Sequence, residues 1–274
     1  MDVLELVKRM ARPFRAHERP AFVIVGAQKA GTSALFKILA AHPGVAAPEV
    51  KELHFFDDDR AYARGPAWYR GHFPLVPLRG ERRMTFEATP DYLYRPAAAE
   101  RMRKVLPLVK PVVVLRDPVR RAYSAWNMRR HFKDSRKYAH RHDSRSFAEA
   151  VAAELREGPA SGPLNDYLDR GDYAPQVARF FDLFGRERVL VLNYRDFKHD
   201  AVAAANTVCR HVGLPPFDGS EGIFQRRFNA RTYEEPMDPA MKERLYAHFA
   251  PRLAALDRLL GTPMDLIEDR DLAR

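Results

Sequence analysis

The chain has 274 residues, 46% of them hydrophobic, and carries 46 Lys and Arg against 36 Asp and Glu, a formal net charge of +10. Such a length buries a full core, and the charge points to anionic partners (nucleotides, sulfated or phosphorylated sugars, nucleic acid or a membrane surface) without choosing among them. The lone cysteine, Cys209, excludes an intrachain disulfide framework, and no run approaches the roughly 18 uncharged apolar residues of a membrane span.

Residues 1–20 read as a leader, partly helical or disordered, ahead of one domain over 21–274. The leader lacks an apolar run long enough for a signal peptide, so a cytoplasmic protein without stable membrane insertion is expected. A first strand, Phe22 to Val25, halts at Gly26, and a helical pattern follows from Thr32 to Ala41 with Leu35, Ile38 and Leu39 on one face. Further strands at Met84 to Glu87, Val112 to Leu115 and Val189 to Leu192 alternate with helices. Those helices fall at Ala97 to Val105, Val119 to Arg130, Phe147 to Arg156, Pro175 to Phe184 and Ala201 to Val212. Cys209 sits within the last of these as a small core residue. A final helix starts after the N-cap Asp238 with Pro239 in its first turn, runs toward Leu260, and is expected to break at Pro251. This alternation predicts an α/β protein with a P-loop-like three-layer core, a mostly parallel central sheet flanked by helices. Residues 131–146 and 156–164 read as surface loops, the first bordering an acceptor site.

The strand-to-helix junction "VGAQKAGTS" carries the first chemistry. Glycine at both ends lets backbone N–H groups approach a ligand, and the helix start adds uncapped donors and a positive dipole end, which suits a phosphate. In the nucleotide P-loop the lysine follows the second glycine. Here Lys29 precedes Gly31, so its ammonium meets a bound phosphate from another side. Thr32 and Ser33, with the N–H groups of Ala30 to Ser33, remain placed for a terminal phosphate.

A second junction, "VVVLRDPVRRAYSAW", sets Arg116 at the carboxyl end of a strand, where such sheets bind ligands, with Ser124 in the helix beyond. A guanidinium and a hydroxyl grip one phosphate from two sides. In "KELHFFD", Glu52 and His54, two apart in an extended stretch, would face one side. A carboxylate there accepts a proton from an attacking hydroxyl or amine, and burial would suit it to that task. His54 is the rival base.

Residues 22–57, with "VGAQKAGTSALFKILAAHPGV" and "KELHFFD", resemble the carbohydrate sulfotransferases of the heparan sulfate type. The likeness continues in "WYRGHFP", "FEATPDYLY", "LRDPVRRAYSAW" and "FNARTYEEPMD", across most of the chain. It implies 3′-phosphoadenosine 5′-phosphosulfate (PAPS) as sulfuryl donor, adenosine 3′,5′-bisphosphate (PAP) as product and no metal. It implies further that Glu52 is the base, with His54 and Asp57 also in the active site, and that Arg116 and Ser124 hold the 3′-phosphate. By the same likeness Arg231 assists there, and Tyr233, with Phe224, stacks on adenine. Two positions depart from the pattern: Asn229 stands where several members carry lysine, and Ala88 where some relatives that sulfate heparan do.

The acceptor expected is a sugar or small molecule, possibly anionic, with loop 131–146 and Arg64, Arg70 and Arg79 toward it. A small-metabolite kinase and a non-enzymatic polyanion-binding module are the alternatives; the early lysine opposes the first, and no nucleic-acid-binding pattern supports the second. His131, His140 and His142 match no usual metal-ligand spacing, and no G-x-S-x-G elbow of a serine hydrolase occurs.

Overall fold

The computed structural model describes residues 16–77, 80–136, 138–159, 166–226 and 236–268. Four strands form an all-parallel sheet: β1 (Pro20–Gly26), β2 (Thr85–Ala88), β3 (Lys110–Leu115) and β4 (Leu190–Asn193), in the spatial order β2-β1-β3-β4. Phe22 to Val25 are fully buried although successive side chains point to opposite faces, so the sheet is covered on both sides. That explains their reading as a continuous apolar run. In register, Phe22 pairs with Phe86 and stacks on its ring at 4.7 Å, while Ile24 pairs with both Ala88 and Val112.

The principal helices follow the predicted order: α1 (Thr32–Ala40), the short α2 (Asp59–Tyr62) and α3 (Gly65–Arg70), α4 (Pro96–Val105), α5 (Pro118–Arg130), α6 (Phe147–Glu157), α7 (Tyr173–Phe184), the short α8 (Tyr194–His199), α9 (Ala201–Val212) and α10 (Pro239–Leu260). α1 packs on β1, β2 and α9; α7 packs on β3, α4 and α10. Beside the main core, Val119 and Trp126 of α5, Phe147 and Val151 of α6, and Leu245 and Phe249 of α10 form a second apolar cluster.

Three short helices, α2, α3 and α8, were not expected. The break predicted at Pro251 is also absent: α10 runs through it for 22 residues. Proline removes one ladder bond, but Phe249 and Leu256, buried on either side of it, hold both halves to the body, and the Arg252 guanidinium donates to the His248 carbonyl at 2.7 Å. Asp238 caps the helix as expected, accepting from the Met241 N–H at 2.8 Å. Residues 16–18 are fastened to the domain: His17 bridges Leu75, and Glu18 takes both arms of Arg82 at 2.8 and 2.9 Å.

The order of the strands positions the site. From β1 the chain crosses to β2 on one side and then to β3 on the other, so the crevice outside the carboxyl ends of β1 and β3 is a topological switch point. The β1–α1 turn and Arg116 both lie there.

Candidate active site

Gly31 adopts φ +80, and a Cβ added to it would meet the Tyr194 ring at 2.7 Å, so both backbone and space demand glycine. As the N-cap of α1 it has no side chain to satisfy the first-turn N–H groups, and those of Thr32 and Ser33 keep no capping partner. Thr32 is buried, Ser33 half-buried and Ala30 buried. Lys29 is half-buried at φ 71.

Arg116 follows β3 directly. Its Nη1 donates to the Lys29 carbonyl at 3.0 Å, its guanidinium lies 4.9 Å from the centre of the Tyr194 ring, and its own carbonyl accepts from Tyr173 Oη at 2.8 Å. The two junctions singled out in the sequence therefore meet. Asp117 is not an ion-pair partner of Arg116 but the N-cap of α5, accepting from Val119 and Arg120 N–H groups and from Tyr246 Oη at 2.7 Å. Ser124 is buried on α5, the same helix. Arg116 Nε is buried without a hydrogen bond, a donor that an incoming anion would satisfy.

Segment 51–57 hangs from the end of β2. The Glu52 N–H donates to the Ala88 carbonyl at 3.1 Å, and the Phe55 N–H donates to Tyr92 Oη at 3.0 Å. Tyr92 in turn donates to Glu87 at 2.7 Å, alongside Tyr69 at 2.5 Å and Thr89 at 2.8 Å. Burial pushes the Glu87 carboxyl up, and it pushes up the Tyr69 and Tyr92 hydroxyls as well. This buried carboxylate and its hydroxyl cage shape the segment above them.

The backbone of that segment corrects the expectation of an extended stretch. Glu52 and His54 sit at φ 64 and φ 50, in the left-handed region. The segment that carries them is tied to Ala88 and Tyr92 and does not follow strand alternation. Burial of Glu52 was also expected, but its carboxylate is 39% exposed and ion-paired with Lys51. Among the described residues only Lys29, Glu52, His54 and Asp265 take positive φ without being glycine, and the first three are the candidate catalytic residues. Strain of this kind collects at functional sites.

His54 Nδ1 lies 2.9 Å from Asp57 Oδ2. That hydrogen bond raises the imidazole above its ordinary value against the effect of burial, and the charges of Asp91 and Glu52 add to it. Asp91, which sequence reading passed over, completes a group with His54 and Asp57 whose ligand-type atoms lie within 4.8 Å of one another. These groups are engaged internally. Asp91 pairs with Arg170 at 2.6 Å, and Arg170 continues to Asp166 at 2.6 Å and thence to Arg129 of α5 at 2.7 Å. Burial opposes ionisation of Asp91, yet Arg170, aided by His54 and Arg141, holds its carboxyl below the usual range.

Other candidates separate from this group. Phe224 packs edge-on against Phe217 at 5.2 Å and on the main core. Arg231 and Tyr233, and with them Asn229 and Arg79, lie outside the described residues. Arg64 lies over the Trp68 ring at 4.6 Å, and Arg70 ends α3. Tyr194 was missed: it opens α8 at the end of β4 and touches both Gly31 and Arg116, and only the fold brings these three together.

Parallel sheet, uncapped glycine turn and arginine at a switch point define an α/β protein of the P-loop-like kind. Residues 19–239 match the family description "Sulfotransferase domain". A solved sulfotransferase from Alicyclobacillus acidocaldarius is 31% identical with a TM-score of 0.67, over 94% of this chain and 100% of that one. Human bifunctional heparan sulfate N-deacetylase/N-sulfotransferase 3 is 29% identical over 74% of this chain and 23% of its own length. Mouse heparan sulfate glucosamine 3-O-sulfotransferase 6 is 45% identical over 38% of this chain and 29% of its own length. The chain thus spans less than a third of either curated relative. It belongs to the PAPS-dependent sulfotransferase family, and so to the transferases. No helix among the described residues is long and apolar enough to cross a membrane.

Proposed function

We propose that this chain transfers the sulfuryl group of PAPS to a hydroxyl or amine of an acceptor, a carbohydrate or a glycosylated or small natural product, by in-line displacement. The observation that carries the reading is the meeting of the two junctions: Arg116 bound to the Lys29 carbonyl at 3.0 Å beside an uncapped helix start. Glycine without a Cβ, open first-turn amides and the Nε of Arg116, which makes no hydrogen bond, fit a nucleotide with phosphates at two positions.

In this reading Lys29 and the amides of the turn from Ala30 to Ser33 hold the 5′-phosphosulfate, and Arg116 and Ser124 hold the 3′-phosphate. Glu52 takes the acceptor proton as the acceptor oxygen or nitrogen bonds to sulfur. The sulfur–oxygen bond to the 5′-phosphate breaks, and PAP leaves with charge stabilised by Lys29 and the amides. The half-exposed Glu52 carboxylate is open to an acceptor. The Asp57 hydrogen bond raises the imidazole above its ordinary value and so favours its protonated, donor form, a reading in keeping with Glu52 as base and His54 as a neighbouring donor. Arg231, Tyr233 and Phe224 are assigned to the nucleotide by the family likeness. The substrates named in the heparan sulfate relatives motivate the carbohydrate acceptor.

Sulfur-labelled PAPS with panels of sugars, lipids and phenols, the product located by mass spectrometry, tests the activity. Lys29→Ala and Glu52→Gln should each lower turnover by about 100-fold or more. Full activity of Glu52→Gln on every accepted substrate would remove it as base. Thermal stabilisation by PAP without Mg²⁺ is expected; stabilisation by ATP with Mg²⁺ alone would favour a kinase.

A further inference from the structure

The carboxyl-terminal strap after α10 carries an acid into the proposed 3′-phosphate site. Glu268 Oε1 lies 3.4 Å from Arg116 Nε, and Oε2 lies 3.7 Å from Arg120 Nε. Its carboxylate is 12% exposed, and Oε1, like Arg116 Nε, is buried without a hydrogen bond. The pairing is thus ionic but not closed, with donor and acceptor both unsatisfied at the same place.

The backbone beneath it is fixed. Glu268 N–H donates to Asp117 Oδ2 at 3.1 Å, Asn193 at the end of β4 donates to the Met264 carbonyl at 2.7 Å, and Leu266 is buried in the core. With the backbone anchored at these points, the side chain can rearrange by rotation about its own bonds.

We infer that Glu268 is an internal counter-anion of the Arg116 and Arg120 guanidiniums that the 3′-phosphate of the nucleotide must displace, so that it lowers affinity for 3′-phosphorylated nucleotide and eases exit of PAP. This rests on the assignment of Arg116 to the 3′-phosphate. A carboxylate has two oxygens and one charge; a phosphate brings three oxygens and up to two charges, and the adenine and 5′-phosphate anchor it. A nucleotide can therefore win the guanidiniums where small free monoanions do not. Whether the carboxylate swings out or stays beside the phosphate, its charge opposes binding.

Calorimetric titration with PAP and with AMP, using the full chain as wild type, Glu268→Gln, Glu268→Ala and Arg116→Ala, tests this, with circular-dichroism melts to establish that each variant folds. Glu268→Gln keeps the shape and removes the charge. It should bind PAP about three- to tenfold more tightly, the scale of one or two partly exposed ion pairs, and leave AMP unchanged. Adding Glu268→Gln to Arg116→Ala in a double variant should give a smaller gain than in wild type, because only the Arg120 pairing is then left to release. Unchanged or weaker PAP binding in both folded Glu268 variants, with wild-type PAP binding dependent on Arg116, would overturn the counter-anion and leave the nucleotide reading standing. A wild type that does not bind PAP, or binds it equally without Arg116, would overturn the nucleotide reading and the counter-anion with it.

Discussion

Tyr92→Phe removes one oxygen from a place where it accepts from the Phe55 N–H and, at 3.5 Å, from the Phe56 N–H, and donates to Glu87. The ring is kept, and with it the edge contact to Phe56 at 5.3 Å, so the loss is polar. The Phe55 N–H, which donates to Tyr92 Oη at 3.0 Å, becomes a buried donor without that acceptor, at a cost of about 1–3 kcal/mol. Glu87 loses the donor at 2.7 Å, one of three, and a hydrogen bond to a charged group is worth about 1.5–3 kcal/mol. Together these predict a loss of about 3–5 kcal/mol, or roughly 6–15 °C in Tm for a chain of this size. The effect has a pH signature. Burial already holds the Glu87 carboxyl above its ordinary value, so the native state binds more protons than the unfolded one above the unfolded value, and stability falls as pH rises through that window. Removing a donor that favours the charged form widens the window. Denaturant unfolding at about pH 5 and about pH 8 should therefore show the larger penalty at the higher pH. Turnover should fall as well, because Glu52 and His54 sit in the segment that Tyr92 holds. A loss below about 0.5 kcal/mol, or an equal penalty at both pH values, would refute the cage as the support of that segment.

Three further outcomes follow from the same geometry. Gly31→Ala should cost about 1–2 kcal/mol for the left-handed backbone alone, and more for displacing Tyr194, with PAP affinity falling in parallel; an unchanged melting temperature would contradict both reasons for glycine. Asp166→Asn leaves Arg129 and Arg170 short of a partner and should destabilise by about 3–5 kcal/mol; because Asp91 and Asp166 are both held below the usual carboxylate range, their stabilisation is present above that range and is lost as pH falls through it, a loss that acid titration of the variant should show reduced. The Cys209 thiol, buried on α9 and pushed up to about 11, should resist iodoacetamide at neutral pH in the native protein and react on unfolding, as mass spectrometry would report.

Much of the scaffold is legible in local sequence because the signals are local. Strand β1 is buried on both faces, so Phe22 to Val25 advertise it, and its end at Gly26 is punctuated by a residue that leaves Leu93 room to pack: a Cβ there would come within 2.5 Å of the Leu93 Cβ. Asp238 and Pro239 mark a helix start by their own chemistry. Pro251 misled because a breaker acts on the ladder, while Phe249 and Leu256 act on the packing, and burial won.

The site divides along the same line. Lys29, Gly31 and Arg116 are visible because strand ends and glycines announce a turn, but what makes them a site is a crossing of strand order that no window of sequence contains. Glu52 and His54 are visible as residue types but not as backbone: they sit at left-handed φ in a segment whose N–H groups bond to Ala88 and Tyr92, some 35 to 40 residues downstream. Asp91, Arg170, Tyr194 and Glu268 carry no motif of their own. Each becomes chemical only through a partner far along the chain, Arg170 for Asp91, Arg116 for Tyr194 and Glu268. The charges at these four positions are accordingly set by the fold rather than by neighbours in sequence, and substitutions there should alter affinity or pH response more than they alter the identity of the reaction.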